Sequence, residues 1–285
     1  MSMFKKLVHP YIWRRIFYER LTEPIHLNLL SLWVAAFGSF ARKVDFDLIL
    51  RAPYAYGVLS AAQRARRGKI KEITVIEFGV SSGAGLMNMS RLAEKAERAT
   101  GVKIHVVGFD SGVGMPAPLD YRDHPDMYVQ GDFPMDFDAL RTRLPARTEL
   151  VIGDVANTAP ELLKRLVAPI GFVVLDLDYY SSTKAAMSIF EGQPDQYLPL
   201  VPIYVDDIYS ELHNSWCGEL LAIEEFNTAH PLRKLERFAL LENSRVFQRA
   251  NWIKHIFGFH VLDHSSRSVQ NLSRGKVVHF NPFLS

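Results

Sequence analysis

The 285-residue chain has one cysteine, Cys217. An internal disulfide is therefore excluded, and a reducing, cytoplasmic setting is expected. With no second cysteine or motif beside it, Cys217 reads as an ordinary, partly buried thiol. Charge of one sign is not in excess. The 33 Lys+Arg and 31 Asp+Glu leave a formal +2, which gives no global reason to expect a nucleic-acid partner. Internal repeats and low-complexity tracts are absent, as is the Gly-Lys-Ser/Thr of a phosphate-binding P-loop. No small-residue cleavage site follows a compact apolar run near the N-terminus, so "MSMFKKLVHPYIWRRIFYER" is a poor signal peptide.

The last absence is local. From Pro24 to Ala41, "PIHLNLLSLWVAAFGSFA" contains no Asp, Glu, Lys or Arg. Its length approaches a short membrane span, but a proline, a histidine, an asparagine and two serines interrupt it. Leu29, Trp33, Ala36, Phe37 and Phe40 recur at helical spacing, with Asn28, Ser31, Ala35 and Ser39 on the opposite face. The pattern predicts an amphipathic helix packed by that apolar face on the body or on a second copy. The basic, aromatic stretch before it makes a peripheral membrane contact the next reading.

What is present is an alternation. Residues 1–68 read as a helical extension; residues 69–285 read as one domain. From Ile73 onward short apolar runs alternate with helix-length segments: "ITVIEFG" (73–79), "KIHVVGFD" (103–110), "ELVIGD" (149–154), "GFVVLDLD" (171–178) and "VPIYVDD" (201–207). Near-continuous Val, Ile, Leu and Phe separated by helices predict an α/β, Rossmann-like, doubly wound and mostly parallel sheet covered on both faces. "RVFQRANWIKHIFGFHVLD" and "KVVHF" are expected to form an antiparallel closing pair.

Each of the five runs ends in a carboxylate or carries one beside a glycine: Glu77, Asp110, Asp154, Asp176 with Asp178, and Asp206 with Asp207. Asp commonly caps helices and turns, but the carboxyl ends of strands are where open α/β sheets bind ligands. Around the first run, "VIEFGVSSGAGL" spaces its glycines G-x-x-x-G-x-G (Gly79, Gly83, Gly85), not the G-x-G-x-x-G of dinucleotide sites. Glu77 at the mouth would repel a phosphate and suits a ligand with positive charge. S-adenosylmethionine has an ammonium, a sulfonium and a ribose, and Asp110 at the end of the second run suits the ribose hydroxyls.

Asp176, Asp178, Asp206 and Asp207 are expected to share one region, because consecutive parallel strands are often neighbours. Two like charges about 4 Å apart repel by roughly 4 kcal/mol at an effective dielectric near 20. Such a cluster calls for a cation or protons, and all-oxygen donors favour Mg2+, with Mn2+ as an alternative, over zinc.

These segments resemble a known family. "VIEFGVSSGAGL" is similar to motif I of class I S-adenosylmethionine-dependent methyltransferases. "GFDSGVGMP", "LDLDYYSSTKAAM", "IYVDDIY" and "CGELLAIEEF" resemble successive segments of the macrocin O-methyltransferase group, which methylates sugar hydroxyls. The resemblance spans roughly residues 70–228. Gly112 and Val113 stand where the group usually has an aromatic and an acid, and Leu177 replaces a glycine. The resemblance implies that Glu77 and Gly79 meet the methionine part of the cofactor, with Gly83, Gly85 and Ser111 also among the cofactor-binding residues. It puts Asp110 at the ribose and Asp154 near the adenine, with Tyr54 and Tyr56 closing over the cofactor. It also implies Asp176, Asp206 and Asp207 as Mg2+ ligands. Asp178 is the first candidate for general base and His213 the second. The expected function is metal-dependent O-methylation of a sugar or glycosylated metabolite. The rival readings are a nucleotide-sugar glycosyltransferase using "DLD", and a non-catalytic cofactor-binding homologue.

Overall fold

The structure, a computed structural model, describes residues 19–269. Three helices come first: α1 (Ile25–Phe37), α2 (Phe40–Asp45) and α3 (Ala52–Arg67). A strand–helix alternation follows, with β1 (Glu72–Phe78), α4 (Ala84–Thr100), β2 (Lys103–Asp110), α5 (Phe137–Arg143), β3 (Thr148–Ile152), α6 (Val155–Lys164), β4 (Ile170–Leu175), α7 (Tyr180–Ala186) and β5 (Leu200–Val205). Helix α8 (Gly218–Ala229), β6 (Arg233–Arg237), α9 (Leu241–Ser244) and β7 (Ile256–Val261) complete the described elements.

The seven strands form one sheet in the order β3-β2-β1-β4-β5-β7-β6. Strands β1 to β5 are parallel, and β7 runs antiparallel to both β5 and β6. The α/β class, the parallel core and the antiparallel closure agree with the sequence expectation, but the closing pair has a different composition. β7 lies within "RVFQRANWIKHIFGFHVLD", whereas its partner is "RKLER" (233–237), and "KVVHF" lies outside the described residues. β6 escapes a search for apolar runs because it is an edge strand that buries only Leu235. Four of its five residues are charged, as expected where a sheet edge meets water.

Helix α3 is no appendage. Pro53 in its first turn and Arg64, Arg66 and Arg67 in its last suit the two ends of a helix. Its face of Tyr54, Ala55, Val58, Ala61 and Ala62 shares one core with β1, β4 and β5. Helix α1 departs from its predicted orientation. It buries Ser31 and Val34 and leaves Leu29, Trp33, Ala36 and Phe37 exposed. The inward polar groups are satisfied locally: Asn28 Nδ2 donates to the Arg20 carbonyl at 2.8 Å, and Ser31 Oγ donates to the Asn28 carbonyl at 2.6 Å. Val34 packs with Phe46 and Phe247. Among the described residues no helix is long and apolar enough to cross a membrane.

Candidate functional site

The strand order reverses between β1 and β4, so the two halves of the sheet wind away from a crevice at their carboxyl ends. A cavity of about 940 Å3 occupies that place. Glu77, Gly79, Gly85, Asp110, Ser111 and Asp154 line one part of it; Asp176, Asp178, Asp206 and Asp207 line another. The sequence-predicted residues therefore meet, apart from three. Gly83 caps α4 in the left-handed region, and a Cβ there would strike Leu140, so it serves packing rather than the cavity. Tyr56 lies on the wrong side of α3 to close over a ligand; its ring packs 5.6 Å from Trp252, under the Arg245 guanidinium. The α3 residue that reaches the site is Tyr54, two positions earlier. His213 stands outside the cavity wall, its ring centroid 5.4 Å from that of His124.

The glycine turn is built for close approach. Gly79 has φ +83, and a Cβ on it would lie 1.7 Å from the Asp176 carbonyl oxygen. A side chain here would force β1 and β4 apart at their carboxyl ends. Gly85, in the first turn of α4, leaves room for Glu77; a Cβ there would lie 1.9 Å from Glu77 Oε1.

Glu77 is 1% exposed. Its Oε1 accepts a 2.6 Å hydrogen bond from the Tyr54 hydroxyl, while Oε2 has no partner. Burial pushes its pKa up to about 7 against the pull of Tyr54 and Arg51. Arg51, in the left-handed region just before α3, lines the same cavity and was not anticipated from the sequence.

Asp110 and Asp154 are in a different state. Asp110 Oδ2 accepts from the Ser81 amide at 2.8 Å and Oδ1 from the Gly112 amide at 2.7 Å, tying the loops after β1 and β2 together. Asp154 caps α6 through the Ala156 amide at 2.9 Å. Ser111 Oγ donates to the Gly114 carbonyl at 2.8 Å.

At the ends of β4 and β5, Asp176, Asp206 and Asp207 each bring a carboxylate oxygen within 4.8 Å of the others. The register sets this up, since Leu175 pairs with Val205 and the next residue of each strand is an aspartate. Asp206 accepts from the Tyr204 hydroxyl, whereas Asp207 Oδ2 is buried without a partner. No lysine or arginine among the described residues forms an ion pair with these three or with Asp178. Burial, then neighbouring carboxylates, hold Asp176 and Asp207 far above the usual carboxylate range.

Asp178 sits in the left-handed region at φ +58, an uncommon conformation for a residue with a side chain. Burial raises its pKa, while hydrogen bonds with Tyr128 and Asp207 act the other way. Burial and then His124 lower the pKa of His213, and its Nε2 is buried without a partner.

The residue most plainly missed is Glu219. It is fully buried in the first turn of α8, and burial pushes it up to about 8. Oε1 accepts from the Leu177 amide at 3.2 Å and Oε2 from the Asp207 amide at 3.1 Å. One side chain thus holds the loops after β4 and β5 at a common spacing. The available signal was an acid directly after a helix start in "CGELLAIEEF", 12 residues beyond Asp207.

No protein-family model matches the chain, and neither does any curated protein sequence. Three similar solved structures are methyltransferases. CalS11, a calicheamicin methyltransferase, is 25% identical, with a TM-score of 0.46, 64% of this chain and 74% of that chain being covered. The apo form of CalS11, described as a TDP-rhamnose 3'-O-methyltransferase of calicheamicin biosynthesis, gives 21% identity and a TM-score of 0.40 over the same shares. The plantazolicin methyltransferase BpumL, with a pentazolic desmethylPZN analog and SAH, is 10% identical, with a TM-score of 0.35, 87% of this chain and 93% of that chain being covered. Likenesses this loose assign no function; the chemistry of the cavity has to do so.

Proposed function

We propose that the protein is an S-adenosylmethionine-dependent O-methyltransferase that requires a divalent cation, Mg2+ or Mn2+, and acts on a hydroxyl of a sugar or glycosylated metabolite. The observation that carries this reading is the meeting, in one cavity at the reversal of the sheet, of two unlike halves. One is a glycine turn with a buried, half-bonded glutamate; the other is three aspartates within 4.8 Å of one another.

The first half suits the cofactor. The methionine end of S-adenosylmethionine is a zwitterion that needs an anion and a cation in its site. Glu77 provides the anion, with Oε2 unpartnered, and Arg51 provides the cation. Gly79 and Gly85 keep the wall low enough for backbone contact. Asp110 and Ser111 suit the ribose. Each Asp110 oxygen already holds one backbone amide and keeps lone-pair capacity for a hydroxyl. Asp154 suits the adenine end.

The second half fits a hard cation. Its donors are all carboxylate oxygens, one of them an orphaned buried atom, and like charges so near one another are costly without a counter-ion. Asp176, Asp206 and Asp207 would hold the ion. When bound, the cofactor supplies the methyl group, and the ion supplies Lewis-acid polarisation of the acceptor hydroxyl.

The remaining work falls to the chain. Asp178, beside the aspartates and oriented by Tyr128, accepts the hydroxyl proton at its carboxylate. Its raised pKa makes it a better base than an exposed aspartate. His213 is the second candidate; it needs a movement toward the cavity to serve. Ser181, Ser182 and Tyr128 add hydroxyl groups to the wall, as a polyhydroxylated acceptor requires. Orienting two bound reactants can lower a barrier by about 7–11 kcal/mol, so positioning accounts for most of the protein's task.

Isothermal titration with S-adenosylhomocysteine, and separately with UDP, each with Mg2+, tests the reading. Binding of the first and not the second is expected. The reverse result would identify the aspartate pair of "DLD" with nucleotide-sugar chemistry instead.

A further inference from the structure

Helix α1 faces outward with its apolar side. Leu29 is 64% exposed, Trp33 61% and Phe37 75%, whereas Ser31 is 8% exposed. Trp33 and Phe37 are one helical turn apart, with ring centroids 5.9 Å from each other. A helix that turns a serine inward and a tryptophan outward has not finished burying its apolar surface.

The surroundings indicate what covers it. The charge-free stretch runs from Pro24 to Ala41, and residues 1–18 before it carry Lys5, Lys6, Arg14 and Arg15 with no Asp or Glu. An apolar, aromatic face that follows on a cationic segment, with Glu19, Arg20 and Glu23 between them, is matched by a surface with acyl chains beneath negative headgroups. A 13-residue helix is about 20 Å long, short of the roughly 30 Å hydrocarbon core, so it lies along such a surface rather than through it. A second copy would bring the same face to a two-fold contact. That face holds no carboxylate to meet the four cations.

We propose that α1 docks this protein on an anionic lipid surface, with Leu29, Trp33 and Phe37 entering the headgroup–acyl boundary and the basic residues before it meeting lipid phosphates. The inference goes beyond the methyl-transfer reading and does not depend on it.

Vesicle flotation of the full chain tests it, with phosphatidylcholine alone and with phosphatidylcholine plus phosphatidylglycerol. Wild type is expected to float with the second and not the first. The triple variant L29S/W33S/F37S should lose bound fraction by more than about tenfold, with an unchanged melting temperature because these side chains are exposed. K5Q/K6Q/R14Q/R15Q should abolish the preference for phosphatidylglycerol. Should the triple variant fail to fold, quenching of wild-type tryptophan fluorescence by brominated phosphatidylcholine in the mixed vesicles reads the same insertion. Three results would overturn the proposal: no flotation with either vesicle, equal flotation of wild type and the triple variant, or equal flotation with both lipids. A wild-type dimer that the triple variant converts to monomer, without vesicle binding, would also overturn it and assign the face to a second copy.

Discussion

The two ends of the sheet's rim carry the same residue type in opposite conditions. At the ends of β2 and β3, Asp110 and Asp154 accept backbone amides and hold loops or a helix in place. At the ends of β4 and β5, Asp176, Asp206 and Asp207 crowd together, and Asp207 Oδ2 accepts nothing. The first pair has its acceptor capacity partly used by part-buried or exposed backbone amides, each such bond being worth about 0.5–1.5 kcal/mol. The second group is a crowd of acids without a cation, its loops held at a fixed spacing by the two amides that Glu219 accepts. A carboxylate at a strand end thus has two distinct uses, which only its hydrogen bonds separate.

Mutation should separate them too. The largest effect is expected for Asp206→Asn with Asp207→Asn. Turnover should fall by more than about a thousandfold if the cation contributes several kcal/mol to the transition state. Binding of S-adenosylhomocysteine by calorimetry should persist, and the metal-free melting temperature should rise as repulsion is relieved. If both ligands are lost from a folded variant, the two halves are not separate. Asp110→Ala should do the opposite: it should lower unfolding free energy by roughly 1–3 kcal/mol, because two part-buried amides lose their acceptor, and weaken S-adenosylhomocysteine binding. A neutral result in urea denaturation would erase the contrast between the rim's ends.

Glu77 gives a pH test. Its folded pKa of about 7 lies above its ordinary 4.5, so the folded state holds the extra proton between those values. Its contribution is fully present below about pH 4.5 and is lost as pH rises toward 7, at most about 3 kcal/mol in all. Glu77→Gln should lack that part of the slope in unfolding free energy measured from pH 4.5 to 8; parallel curves would show that Glu77 is solvated. The smallest effect is expected for Tyr54→Phe, which removes the 2.6 Å donor to Glu77. About 1–2 kcal/mol of stability should go, and weaker S-adenosylhomocysteine binding should accompany it.

Much of this site was legible beforehand because its residues sit at strand ends. Apolar runs locate β1 to β5 to within three residues at either end, and the carboxylates lie at or just beyond the strand ends. The failures have a common form. Tyr56 stands two residues from Tyr54, and two residues on a helix are about 200° of rotation, so only one of the two rings can face the cavity, and the spacing alone does not say which. Leu29, Trp33 and Phe37 were assigned to the buried side because apolar faces usually are. Arg51 lies 26 residues before Glu77 and carries no motif of its own, and Glu219, 12 beyond Asp207, lies in "CGELLAIEEF", where nothing local shows that its side chain reaches back to the strand ends. β6 was passed over because an edge strand needs only one buried residue.

The alternation of strand and helix, the glycine turn after β1 and the acids along the rim are written in the chain's local patterns. Those follow from local rules: β-branched runs extend, and glycine permits the turn. Which acids are bonded to backbone and which stand bare, and which side of α1 meets solvent, depend on how the folded chain packs. The state of a carboxylate, like that of a helix face, is set by neighbours that the chain brings in from tens of residues away.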